Sequence, residues 1–173
     1  MNNTLIDNSI EALSMTATLK KCLATDGIKT VSIATGYWDI PGLAILQEDL
    51  RSFIKKDGTM LRLLIGKDPY IYANQLKSPK YKDANYPLDF IKTDIHELNV
   101  TEEYKDAIRL LLDYCTESND SKIQIRVFRK NENDETQFLH SKCYIFDGKP
   151  NGIGIGIVGS TNFTQKGLLE NPV

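Results

Sequence analysis

Two strand-like runs with one helix-length segment between them constrain this chain most. Ile28 to Ala34 (IKTVSIA) is β-branched and leads into Thr35-Gly36, and Met60 to Ile65 (MLRLLI) is an apolar run ending at Gly66. Both read as strands, the second as a buried one. Between them Pro41 suits the first turn of a helix. Leu43, Ile45, Leu46, Leu50 and Phe53/Ile54 keep helical spacing as far as Lys56, and Asp57-Gly58 is a stop signal. Strand, helix and strand in that order suggest a parallel pair with a crossover helix. Ahead of this unit, Ile10 to Cys22 reads as a short helix with Leu13, Thr16 and Leu19/Leu23 near one face.

The pattern breaks after Gly66. Lys67 to Tyr86 holds Pro69 and Pro79, with Pro87 just beyond, and sets Lys77, Lys80 and Lys82 among Tyr70, Tyr72, Tyr81 and Tyr86. It reads as an excursion, part loop and part short helix. Leu88 to Leu98 and Glu102 to Cys115 read as helices, the second with Tyr104, Ile108, Leu111/Leu112 and Cys115 as its apolar stripe. Three strands then follow, over Lys122 to Phe128, Gln137 to Phe146 and Ile153 to Gly159, with a helix start near Thr164. The expected fold is α/β, a mixed sheet of about six strands flanked by helices on both faces. With 173 residues the chain has the length of one domain, large enough to bury about 70% of its unfolded surface. Nothing marks Asn171-Pro172-Val173 as a natural end, so residues 1–173 are expected to be the N-terminal part of a longer protein.

Composition narrows the function classes. Hydrophobic residues make up 41% and charged residues 25%, which is ordinary for a soluble domain. No stretch approaches the ~18 apolar residues of a membrane span. The net charge of −2 excludes a protein that coats nucleic acid non-specifically. Any such contact must come from a local basic patch. Lys77, Lys80 and Lys82 with their tyrosines suit a phosphate-tracking, base-stacking lip, and equally a solvated loop. Lys122, Arg126 and Arg129/Lys130 flank the strand before the richest motif and could add to it. Cys22, Cys115 and Cys143 lie far apart without a CxxC, so they read as free thiols. With no signal-peptide core, the expected compartment is the cytoplasm. Gly154, Gly156 and Gly159 spell GxGxxG, but Ile153, Ile155 and Ile157 alternate as in a strand, and the dinucleotide fingerprint lacks its context. Those glycines are read instead as allowing close backbone or helix approach on one face. No P-loop and no metal-ligand spacing is present, and no cofactor is expected.

The richest segment is Phe138-Leu139-His140-Ser141-Lys142-Cys143-Tyr144-Ile145-Phe146-Asp147. On a strand, residues two apart share a face. His140 and Lys142 then project together, one a nucleophile or base and the other a fixed cation. Asp147 has the opposite parity and sits at the strand's end, better placed to anchor backbone than to touch substrate. Gly159-Ser160-Thr161-Asn162 follows, and Ser160 and Asn162 share a face by the same rule. If the two strands are neighbours, an imidazole, an ammonium, a hydroxyl and a carboxamide converge. That set suits a phosphate, because cation and neutral donors stabilise a five-coordinate phosphoryl species. A histidine titrating near neutrality can attack or shuttle protons.

HxKxxxxD, met by His140, Lys142 and Asp147, followed by GSxN, met by Gly159, Ser160 and Asn162, resembles the phospholipase D superfamily. More weakly, Ile33-Ala34-Thr35-Gly36-Tyr37-Trp38 and Leu61-Arg62-Leu63-Leu64-Ile65-Gly66 are similar to the phospholipase-D-like nuclease domain at the N-terminus of some bacterial helicases. The resemblance implies a metal-independent phosphodiesterase, with catalytic roles for His140, Lys142, Asn162, Ser160 and Asp147. One histidine forms a phosphohistidine and a second protonates the leaving group. Only one motif copy is present, since His96 lacks the lysine. A homodimer is therefore expected to complete the site. DNA is the expected partner and no membrane is expected, with Lys77, Lys80, Lys82 and Arg126 as candidate substrate contacts. The alternatives are a weakly active or inactive nucleic-acid-binding or dimerisation module with the same fold and a lipid-cleaving enzyme. The nuclease members carry a glutamate downstream of the GSxN asparagine. The matching position here is Val173, and Glu170 is the nearest acid, so that role stays open.

Overall fold

Serine and threonine hydroxyls and one carboxylate start the principal helices, each at the position where a side-chain oxygen can take an orphan backbone N–H. The computed structural model describes residues 5–66, 101–115, 121–128, 139–148, 152 and 154–170. In it Ser14 caps α1 (Met15–Ala24), Asp39 caps α2 (Ile40–Ile45), Thr101 caps α4 (Glu102–Tyr114) and Thr164 caps α5 (Gln165–Leu169). The single helix expected from Pro41 to Lys56 is two, α2 and α3 (Gln47–Ile54). Leu46 between them leaves helical geometry at φ −111° and ψ 7°.

Among the described residues five strands form one sheet: β1 (Thr30–Thr35), β2 (Met60–Ile65), β3 (Ile123–Val127), β4 (Lys142–Asp147) and β5 (Gly154–Val158). Their order across the sheet is β3-β2-β1-β4-β5. β1 pairs with β2 and β2 with β3 in parallel, while β4 runs antiparallel to both β1 and β5. The mixed α/β sheet and its parallel first pair are as the sequence implied, one strand short of the expected six. The expected helix at 88–98 lies outside the described residues.

Strand parity explains the core. Val31, Ile33, Leu61, Leu63, Ile65, Ile123, Tyr144, Phe146 and Ile157 share one face. They form one buried cluster with residues of all five helices, including Leu19, Leu43, Phe53, Leu110 and Leu168. The opposite face carries Ser32, Ala34, Arg62, Gln124, Arg126 and Cys143, which line an open groove of about 570 Å³. Gly154 and Gly156 stand in β5, as the strand reading required. Among the described residues a β-carbon at either would meet nothing within 4 Å, so none of these packs closely against them, contrary to the expectation of close approach.

The topology puts the chemistry at one edge. The C-terminal ends of β1, β2, β3 and β5 and the start of β4 lie side by side. Thr35 is the register partner of Lys142, and Gly159 N–H donates to Lys142 O at 3.3 Å.

Candidate active site

β4 begins at Lys142, so His140 belongs to the extended approach just before the strand. That approach rests on the end of β2. The Cα of Gly66 faces the Leu139 backbone so closely that no β-carbon fits there. Gly66 N–H in turn donates to Thr35 O at 2.8 Å.

Gly36 is the point on which the site converges. An ideal β-carbon on it would stand 3.3 Å from Asn162 Oδ1 and 3.5 Å from His140 Nδ1. The imidazole and the carboxamide therefore both border a residue that has no side chain. His140 is exposed and Asn162 half-buried, so the pair opens to solvent.

Lys142 points to the buried face of the sheet and is only 8% exposed. Its Nζ donates to His140 O at 3.1 Å. Burial pushes the ammonium below its ordinary value, because a partly dehydrated cation is less favourable than the neutral amine. A bound anion would relieve that cost.

The GSTN segment was expected to obey strand parity beside β4. β5 is indeed β4's neighbour, but it ends at Val158, and Gly159 to Asn162 turn away toward α5. Other forces place Asn162. Its Oδ1 accepts from Tyr37 N–H at 3.1 Å and lies 3.4 Å from Thr35 Oγ1. Phe163 N–H donates to Thr35 Oγ1 at 3.0 Å, and Trp38 and Phe163 form an isolated parallel bridge. Tyr144, one turn of the pleat beyond Lys142, sends its hydroxyl to Thr161 O at 2.9 Å and packs edge-on against Phe163. Burial pushes the Tyr144 phenol up. Ser160, two residues before Asn162, is exposed.

Thr35, Gly36 and Tyr37 were not among the residues singled out from sequence as catalytic. The signal available was the run Thr35-Gly36-Tyr37-Trp38 at the end of the first strand. A site glycine following a buried strand is where backbone can approach a ligand closely.

Two of the sequence-selected residues, Asp147 and Arg126, stand elsewhere. Asp147 lies at the far end of β4, five residues from Lys142, roughly 17 Å at strand rise. There it pairs with Thr30 and Gly154, and its carbonyl accepts from Lys29 N–H at 2.9 Å. The structure does not bring it to the His140 edge, and parity turns its side chain to the open face. Arg126 is on β3, three strands from β4, and lines the open groove with Arg62. Lys77, Lys80, Lys82 and His96 lie outside the described residues.

Among the described residues no group of three or more His, Cys, Asp or Glu side chains is placed to hold a metal ion. None of the described helices is long and apolar enough to cross a membrane. Cys22, Cys115 and Cys143 are free thiols.

No curated protein matches the chain. A family model described as "Cardiolipin synthase, PLD-like domain" matches residues 19–172, which include the whole sheet and every group of the His140 edge. With the HxK and GSxN residues gathered at one end of a mixed α/β sheet, the chain belongs to the phospholipase-D-like domain family.

Proposed function

We propose that this domain is a metal-independent phosphodiesterase acting on DNA, with His140 as its nucleophile. The family is one of phosphodiester-cleaving domains in general, and the observation that supports the finer reading is that His140 and Asn162 both border Gly36, with the buried Lys142 ammonium bonded to the His140 carbonyl. A ring nitrogen of His140 attacks phosphorus. A P–N bond forms as one P–O bond breaks, and the leaving oxygen takes a proton from a second histidine. Water then attacks the phosphohistidine. The P–N bond breaks, the water's proton returns to the second histidine, and a phosphomonoester departs. Lys142 and the Asn162 and Ser160 donors offset the charge that builds on the phosphoryl oxygens.

The second histidine is His140 of a second copy across a two-fold axis, so the active species is a homodimer. Lys77, Lys80, Lys82 and Arg126 supply phosphate contacts. The domain serves as the nuclease head of a cytoplasmic, helicase-linked protein.

The test is hydrolysis of bis(p-nitrophenyl) phosphate and of single- and double-stranded DNA in excess EDTA. Turnover should persist there, and His140→Asn should abolish it while DNA affinity stays within about threefold, because backbone phosphate contacts set that affinity. Activity lost in EDTA and restored by magnesium refutes the mechanism. A strict monomer by sedimentation that still cleaves refutes the shared site. Wild-type protein that turns over none of these substrates, with His140→Asn changing nothing, leaves a binding or dimerisation module.

A further inference from the structure

An asparagine can help a phosphoryl transfer only if its amide nitrogen, not its oxygen, faces the phosphate. The side chain has two hydrogen-bonding ends of similar shape, one accepting and one donating. Something must therefore hold Oδ1 away from the substrate. Here Tyr37 N–H, a donor that can satisfy only an oxygen, takes Asn162 Oδ1 at 3.1 Å.

The residue that carries this N–H is itself held, through its carbonyl, by a side chain. Thr35 is fully buried at 0% exposure. Its hydroxyl donates to Tyr37 O at 2.6 Å and accepts from Phe163 N–H at 3.0 Å. The single proton is committed to the shorter bond, so the 3.4 Å approach to Asn162 Oδ1 is a secondary contact. One hydroxyl thus clamps the turn that grips Oδ1 and the peptide that follows Asn162. Thr35 also faces Lys142 in the β1–β4 register. As a β-branched residue it has little χ1 freedom, so the clamp is stiff.

We propose that Thr35 is a positioning residue that fixes the Asn162 carboxamide with Oδ1 inward and Nδ2 toward the scissile phosphate. The inference rests on the phosphodiesterase reading for its catalytic consequence. Its geometric content stands apart from that reading.

Three variants of the full chain decide it: Thr35→Val, which keeps shape and removes the hydroxyl, Thr35→Ser, which keeps the hydroxyl, and Asn162→Asp, which keeps the acceptor and removes the donor. In the activity arm, Thr35→Val should lower kcat by about tenfold to a hundredfold, short of the full loss of an oxyanion donor, with KM within about threefold. Thr35→Ser should recover most of it. On an Asn162→Asp background, Thr35→Val should add no further loss, because both changes act through one group. Equal kcat in Thr35→Val and wild type, no recovery in Thr35→Ser, or losses that add on the Asn162→Asp background would each overturn the proposal. The second arm needs no turnover. The side-chain amide resonances of Asn162 should match in wild type and Thr35→Ser and move in Thr35→Val. If they do not move, the proposal fails even in an active enzyme. If they move while the wild type cleaves nothing, positioning stands and the phosphodiesterase reading falls. Should Thr35→Val not fold, amide exchange in the wild type decides: Phe163 N–H must be strongly protected, and exchange at the rate of an open amide overturns the clamp.

Discussion

Gly66 lies against Leu139 with no room for a β-carbon between the end of β2 and the Leu139 carbonyl. Leu139 is the residue before His140, so the residue that follows β2, having no side chain, sets where the imidazole emerges. Gly36 does the same from below, beneath His140 and Asn162. Both glycines follow directly on strands of the parallel pair, and Gly66 N–H continues the ladder by donating to Thr35 O.

Gly66→Ala should therefore displace Leu139 and with it His140. Forcing a methyl against backbone costs about 1–3 kcal/mol, and turnover should fall at least about tenfold, since small displacements of a reacting group are expensive. Gly154→Ala is the control, because a β-carbon there meets nothing among the described residues. Stiffening the unfolded chain should leave that variant neutral or stabilised by up to about 1 kcal/mol. Thermal melts and kcat for the two variants, side by side, check this. Wild-type values for Gly66→Ala would contradict the packing argument.

Burial holds Lys142 below the ordinary 10.5 of a lysine. The ammonium is the form that attracts phosphate, so kcat/KM, which reports the free enzyme, should decline on the alkaline side before pH 10.5. Lys142→Arg stays charged throughout and should lose that limb, whatever its residual rate. The sign for folding follows from the lowered folded value. The contribution of Lys142 to stability is complete above the unfolded pKa and is lost as pH falls through the folded one. A wild-type limb at or above 10.5, or one that persists in Lys142→Arg, would assign it to another group.

Tyr144 ties β4 to the turn that carries Asn162. Tyr144→Phe removes the bond to Thr161 O and leaves a buried carbonyl without that donor, a loss of about 1–3 kcal/mol. The phenol's folded pKa is raised by burial. Its stabilising share is therefore present below the unfolded value of about 10 and is lost as pH rises beyond it. Urea unfolding at pH 7 and pH 11 should show a larger fall with pH for wild type than for Tyr144→Phe. Identical falls would mean that Tyr144 ionises as freely folded as unfolded.

Asp39 joins two helices through one oxygen, Oδ1, which accepts from Gly42 N–H at 2.7 Å and Gln165 N–H at 3.0 Å. Burial is the main influence on its carboxyl and raises its pKa. Asp39→Ala loses the cap and the cross-link to α5 together, about 1–3 kcal/mol. Asp39→Asn keeps an oxygen in place and should cost well under half as much. Denaturation midpoints of the two variants test the difference, and equal losses would point to the charge rather than the acceptor.

Residue type and spacing alone determined a good deal. β2 runs over Met60–Ile65 as read, because six apolar-rich residues between a turn signal and a glycine have little other choice. Glu102–Tyr114 is helical because its apolar stripe and its Thr101 cap agree. His140 and Lys142 were legible as close neighbours, but not through strand parity, because β4 begins only at Lys142. What the sequence could not show was how Asn162 reaches them. Parity ends with β5 at Val158, and Asn162 is placed by Thr35 and Tyr37, more than a hundred residues earlier in the chain. The break at Leu46 has no local signal either. The two glycines that shape the site, Gly36 and Gly66, differ from Gly154 and Gly156 only in what packs against them. A sequence records which residues lack a side chain, but only the folded chain decides where that lack makes room for another segment.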